Sequence, residues 1–264
     1  MLGAAHEEHG MVVRRLGKAV RDGVPEIVWI HGLGERATCF EAAARLIPGV
    51  GHVFPDLPGY GDSQPPVLGP GDSLEQTAQH LADWLTSWPV RSAPLLAGHS
   101  MGGVLATMIA ERIPVRGVLD IDGNLTRGDC TFSAEAISCT SDAFAAGGMA
   151  TMHARVVADG ATDAALRGYA PALAKANPAV FHRNATDLVA LSETNTLCPR
   201  LAALSVPVLF IAGVPGGICV ASQRALDAHH VPWIALEPSG HWPFIDQVEL
   251  FAATVRSFVR ELVS

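Results

Sequence analysis

Short, continuous apolar runs separated by longer helix-patterned segments constrain this chain more than any other feature. Ile27-Val28-Trp29-Ile30 and Val208-Leu209-Phe210-Ile211 show no polar residue at alternate positions. A strand with one wet face would alternate, so these runs predict strands covered on both faces, as in a parallel sheet sandwiched by helices. Comparable runs occupy Met11–Leu16, Glu26–Ile30, His52–Phe54, Ala93–Ala97, Gly117–Ile121, Pro207–Ala212 and Val231–Leu236. Helical patterns lie between them at Ala37–Leu46, Leu74–Trp88, Gly102–Arg112, Ser222–Ala228 and Gln247–Leu262. This order, joined by right-handed crossovers, predicts an α/β fold of three layers: a mostly parallel central sheet flanked by helices. Ser73 with Gln76 three positions on reads as a capping box, and Asp246 reads as the cap of the last helix.

One interval breaks the alternation. From Asn124 to about Pro199 there is no strong strand run, while the Ala-rich patterns Met149–Ala158 and Thr162–Ala174 predict helices. We read residues 124–203 as an inserted helical cap on a core made of residues 1–123 and 204–264. The insertion begins after one strand and ends before the next, so the sheet is interrupted in sequence only.

The 264 residues are 49% hydrophobic and carry 18 Lys+Arg against 26 Asp+Glu, a formal charge of −8. With no basic cluster, the chain is expected to bind neither nucleic acid nor a membrane, which leaves a small molecule as partner. Five scattered cysteines without a Cys-x-x-Cys pair predict neither a disulfide framework nor a zinc knuckle. Met1–Gly10 lacks a signal-like apolar segment and no run approaches the roughly 20 apolar residues of a membrane span, so a cytoplasmic location is expected. His6-Glu7-Glu8-His9 is one residue short of His-Glu-x-x-His, and no phosphate-binding loop is present; no metal and no organic cofactor is predicted. His6 and His9 read as part of an N-terminal tail.

The segment that carries chemistry is Leu95-Leu96-Ala97-Gly98-His99-Ser100-Met101-Gly102-Gly103, followed by the helical Val104–Ala110. Gly-x-Ser-x-Gly between a buried strand and a helix places the serine on a sharp turn, and Gly98 and Gly102 lack the Cβ atoms that would crowd it. The turn projects the Ser100 hydroxyl from the sheet and leaves the Met101 N–H at a helix N-terminus, facing developing negative charge. The plainer alternative is a Gly-rich turn whose serine only caps the helix.

With this motif the chain resembles the α/β-hydrolase family, and three further segments extend the resemblance. His31-Gly32-Leu33-Gly34 resembles that family's oxyanion loop, Pro55–Ser63 its loop after the next strand, and Gly240-His241-Trp242-Pro243 its catalytic-histidine loop. The resemblance implies Ser100 as nucleophile, His241 as base, and the Leu33 and Met101 N–H groups as oxyanion donors. His31 is expected to brace its loop, and Asp56 to bond nearby backbone.

The resemblance would place the acid after the Pro207–Ala212 strand, yet Gly213-Val214-Pro215-Gly216-Gly217-Ile218-Cys219 holds no carboxylate. Asp122 follows the strand after the nucleophile helix and is the expected acid. Asp120 would face the same side but deeper. Asp122 as a mere turn residue, Asp227 or Asp246 as the acid, and a Ser–His dyad remain alternatives. The cap implies an apolar pocket, with Phe132, Phe144, Met149 and Trp242 as candidate substrate contacts. The expected chemistry is hydrolysis of a small to medium hydrophobic ester, lactone or thioester through an acyl-enzyme. The alternatives are a non-hydrolytic enzyme of this fold (lyase, acyltransferase or cyclase) and a ligand-binding protein with little turnover.

Overall fold

The computed structural model describes residues 2–17, 26–66, 73–88 and 93–263. Eight strands form one sheet: β1 (His6–Glu8), β2 (Met11–Leu16), β3 (Ile27–Ile30), β4 (His52–Pro55), β5 (Leu95–His99), β6 (Gly117–Ile121), β7 (Val208–Gly216) and β8 (Trp233–Gly240). Their order is β1-β2-β4-β3-β5-β6-β7-β8. The pairs β1–β2 and β2–β4 are antiparallel and all later pairs are parallel. The continuous apolar runs are buried at every position in β3, β4, β5 and β6, as strands with helices on both faces must be. His6, expected in a tail, lies instead in β1, an edge strand whose exposed residues pair with β2.

Register decides where the loops meet. Ile30 pairs with Gly98, His99 with Ile121, and Ile121 with Ile211. The carboxyl ends of β3, β5, β6 and β7 are therefore level, and the residues that follow them share one edge of the sheet.

Between β6 and β7 the chain runs through helices, the longest being Met149–Asp159, Ala164–Leu173 and Pro178–Glu193. These do not form a separate body. Their buried residues, among them Met152, Tyr169, Phe181 and Leu188, belong to the same apolar cluster as those of the sheet. Polar ties add to this: Asn184 Nδ2 donates to Tyr60 Oη at 2.9 Å, and the Asn177 N–H donates to the Gly59 carbonyl at 2.8 Å.

Two predicted caps differ from the sequence reading. Ser73 is the first residue of helix Ser73–Thr86, not the residue before it. Its N–H and hydroxyl both reach Asp187 of helix Pro178–Glu193, at 2.7 and 2.5 Å, and the hydroxyl also lies 2.7 Å from Asn184 Oδ1. Asp246 ends the short helix Pro243–Asp246, and its Oδ2 accepts from Gly240 N–H at 2.8 Å and from the Ser239 hydroxyl at 3.2 Å. It thus braces the loop holding His241 instead of the last helix, Val248–Val263. Among the described residues, no helix is long and apolar enough to cross a membrane.

Candidate active site

Ser100 stands at the turn from β5 into helix Met101–Ala110 with φ 55° and ψ −121°, a conformation that L residues rarely adopt. The turn survives because its neighbours are glycines. A Cβ on Gly98 would lie 2.0 Å from the Gly102 carbonyl oxygen, and one on Gly102 would lie 2.1 Å from that of Ile30. The Ser100 hydroxyl donates to Asn124 Oδ1 at 3.3 Å, and Asn124 is itself oriented by donating from Nδ2 to the Asp129 carbonyl at 3.1 Å. Among the described residues Ser100 makes no hydrogen bond to His241, although both line one pocket.

Asp122 closes the other side of the site. Its Oδ2 lies 2.5 Å from His241 Nδ1. Its Oδ1 accepts from the N–H groups of Gly213 at 2.8 Å and Ile218 at 3.1 Å. The segment after Ala212 therefore lacks an acid of its own but wraps the acid offered by β6. It approaches closely enough that a Cβ on Gly217 would fall 2.5 Å from Asp122 Oδ1. Of the other acids considered, Asp227 accepts from the Trp233 indole at 2.9 Å and Asp246 braces Gly240. Asp120 lies deeper, beside Gly103 and Gly123, where burial pushes its carboxyl well up from the ordinary value.

His31 accepts the Leu57 N–H at Nε2, 2.9 Å away, so its proton sits on Nδ1 and goes to the Gly32 carbonyl at 2.8 Å. Burial lowers its pKa, in keeping with a neutral ring that braces the loop. Asp56 accepts from the N–H groups of Ala37 and Asp62 and from Arg14. The Leu33 and Met101 N–H groups donate to no protein acceptor among the described residues, while the Leu33 carbonyl accepts from Tyr169 Oη at 3.0 Å.

The pocket holding Ser100 and His241 has a cavity volume of about 20 Å³ and is walled by Leu33, Asn124, Phe132, Tyr169, Leu188 and Trp242. A second cleft of about 290 Å³ adjoins it across His241, Phe132 and Trp242, and reaches Ala165, Leu166, Gly216 and Asp246. Two expected contacts, Phe132 and Trp242, thus line the site. Phe144 and Met149 do not: Phe144 stacks on Phe181 at 5.5 Å, and both are buried in the apolar cluster shared with the sheet. Among the described residues no group of three or more His, Cys, Asp or Glu is arranged to hold a metal.

Two site residues had no sequence signal of their own: Asn124 follows a turn-like Asp-Gly pair, and Glu35 is a single acid in a Gly-containing loop. Tyr169 belongs to the apolar set of the helical insertion expected to shape the pocket, but nothing in the sequence marks its hydroxyl as a partner of the loop after β3. Glu35 is nonetheless buried against His99, with its Oε2 3.0 Å from His99 Nδ1.

A strand–serine–helix turn, an acid after β6 and a histidine after β8, all at one edge of a mostly parallel sheet, define the α/β-hydrolase class. Residues 27–254 match the profile described as "Alpha/beta hydrolase family", and the chain belongs to that family. Over 104 residues it is 28% identical to 2-succinyl-6-hydroxy-2,4-cyclohexadiene-1-carboxylate synthase of Enterobacter sp. (strain 638), a match spanning 39% of this chain and 39% of that relative. In structure it is similar to a thermophilic esterase from Thermogutta terrifontis, with TM-score 0.79 and 18% identity, covering 99% of this chain and 100% of the other. It is also similar to the enol-lactonase from Burkholderia xenovorans LB400, with TM-score 0.73 and 18% identity over 97% and 100% of the two chains. At these identities the likeness is one of fold.

Proposed function

We propose that this protein is a serine hydrolase cleaving a small to medium hydrophobic ester, lactone or thioester through an acyl-enzyme, with Ser100, His241 and Asp122 as its triad. The observation that supports this most is the 2.5 Å contact between Asp122 Oδ2 and His241 Nδ1, made by a histidine that shares a pocket with Ser100. A carboxylate at Nδ1 requires the proton there, which leaves Nε2 with a lone pair to serve as base. Ser100 turns from Asn124 toward His241 and gives its proton to Nε2 as Oγ bonds the carbonyl carbon. The carbonyl oxygen takes up the displaced electron pair and faces the Leu33 and Met101 amides. Collapse expels the leaving group, which takes the proton from His241. Water, deprotonated by the same ring, then attacks the acyl group and restores Ser100. The five free cysteines fit a cytoplasmic setting.

One observation favours a second reading, a non-hydrolytic enzyme of this fold: the partial match to a synthase. That relative is named for a carboxylate product. Here the pocket and adjoining cleft are lined by Glu35, Asp122, Asp129, Asp163 and Asp246, with no Lys or Arg among the described lining residues. Arg155 lies over the Phe132 ring but is paired with Glu135 and Asp159. Among the described lining residues the carboxylates outnumber the one cationic ring, His99, which is itself paired with Glu35, and this favours hydrolysis of a neutral substrate. The test is labelling by a fluorophosphonate together with turnover of short-chain nitrophenyl esters. Both are expected in the wild type and absent in Ser100→Ala. Labelling without turnover would move the assignment to the second reading, and absence of both in folded wild type refutes the nucleophile.

A further inference from the structure

The reaction above makes no use of two ionisable groups beside its nucleophile, Glu35 and His99, which are 2% and 1% exposed. His99 Nδ1 faces Glu35 Oε2 at 3.0 Å, and Nε2 faces the His241 carbonyl oxygen at 2.7 Å. Carboxylate and carbonyl only accept, so both ring nitrogens must carry hydrogen and His99 is an imidazolium. The same carboxylate accepts the Gly32 N–H at 2.6 Å on Oε2 and the Trp242 indole N–H at 2.5 Å on Oε1. Cys39 Sγ, 4.0 Å away, is a further polar neighbour. Burial opposes the charge on each group, but the attraction between them prevails: Glu35 is held down at about 2, and His99 is raised from its ordinary value.

A buried ion pair is weak evidence of stability, since desolvation offsets much of the attraction. Its geometry is more telling. The donors reach Glu35 from the β3 loop, from the residue before Ser100, and from the residue after His241. Little slack separates them, for a Cβ on Gly32 would lie 3.0 Å from Glu35 Oε2, 3.1 Å from Ser100 Cβ and 3.2 Å from His99 Nδ1. A shift of the carboxylate is therefore passed to the loop carrying the Leu33 amide and, through His99, to the backbone of His241.

We infer that Glu35, acting through the imidazolium of His99 and the indole of Trp242, is a positioning residue that holds the loop bearing the Leu33 amide in register with the loop bearing His241. The inference rests on the hydrolase reading. It assigns Glu35 no contact with the reacting atoms, so its effect belongs to kcat and not to KM.

Glu35→Gln keeps the shape but turns one acceptor into a donor, so it cannot accept from all three N–H groups and gives His99 no counter-charge. The expected result is a fall in kcat of about 10- to 100-fold, as for a misplacement of catalytic groups, with KM within about twofold of wild type. Glu35→Asp, which keeps the charge, should recover part of the loss. Nitrogen-15 NMR of the histidine rings should show His99 doubly protonated at pH 7 in wild type and singly protonated in Glu35→Gln. A folded Glu35→Gln with wild-type kcat overturns the inference even if its thermal stability is reduced. A singly protonated His99 in wild type overturns it whether or not the variant folds. Failure of the hydrolase reading is seen separately, as wild type without Ser100-dependent turnover, and the positioning role then falls with it.

Discussion

At Asp122 backbone geometry decides which carboxylate oxygen reaches His241. It sits at φ 48°, in the left-handed region that Asp tolerates better than most residues. One of its oxygens is committed to the Gly213 and Ile218 amides, and the other is left for His241. Asn at this position would keep its oxygen on those amides and turn its NH₂ to the ring. His241 Nδ1 would then have to accept, which puts the proton on Nε2, where the base is needed. Asp122→Asn should therefore lower kcat by about 10³- to 10⁴-fold in ester assays while substrate binding is retained. Near-wild-type turnover would point to a dyad. The place of Asp122 was legible because the usual loop was visibly without a carboxylate and Asp122 ended the neighbouring strand. Glu35 was not legible: its partners His99 and Trp242 lie 64 and 207 positions away, and nothing in the local pattern marks a lone loop glutamate as buried.

Among elements, the strands were the most readable, because burial on both faces leaves a continuous apolar signature. Their ends were less so. The glycine-rich run after Ala212 reads as a loop, yet β7 stays paired with β8 as far as Gly216 opposite Gly240, across an irregularity between Gly213 and Pro215. The glycines permit this approach, since a Cβ on Gly213 would lie 1.8 Å from the Gly240 carbonyl oxygen. Helix ends were less readable for a different reason: the Ser73 N–H and hydroxyl go to Asp187, 114 positions away. Helix Ala164–Leu173 walls the pocket with Tyr169 and the adjoining cleft with Ala165 and Leu166, and is tied to the loop after β3 by the bond from Tyr169 Oη to the Leu33 carbonyl. Tyr169→Phe leaves that carbonyl without its donor, so chemical denaturation should show a loss of about 1 to 3 kcal/mol. Because the bond fixes the orientation of the Leu33 peptide, kcat should fall with it. Unchanged kcat would mean the loop is held adequately by His31 and Glu35 alone.

For the whole molecule, charge sorts substrates before any contact is made. A chain of formal charge −8 whose adjoining cleft has Asp129, Asp163 and Asp246 among its lining residues disfavours anions at a distance and in that cleft. With esters matched in size, a neutral or cationic member should exceed its carboxylate counterpart in kcat/KM by about tenfold or more at low ionic strength. The gap should narrow as salt is added, since exposed acids such as Asp163 and Asp246 are screened. Equal rates across the series would show that these acids do not face the bound substrate.

The void beside Ser100, at about 20 Å³, holds little more than one water molecule. The helices above it share their oily interior with the sheet and so cannot swing off as a rigid hatch without wetting that interior. Admission then falls to the flat rings of Phe132 and Trp242, which border both the void and the roomier cleft beyond. A substrate wider than that void would need the Phe132 ring to move, since the Trp242 indole is tied to Glu35.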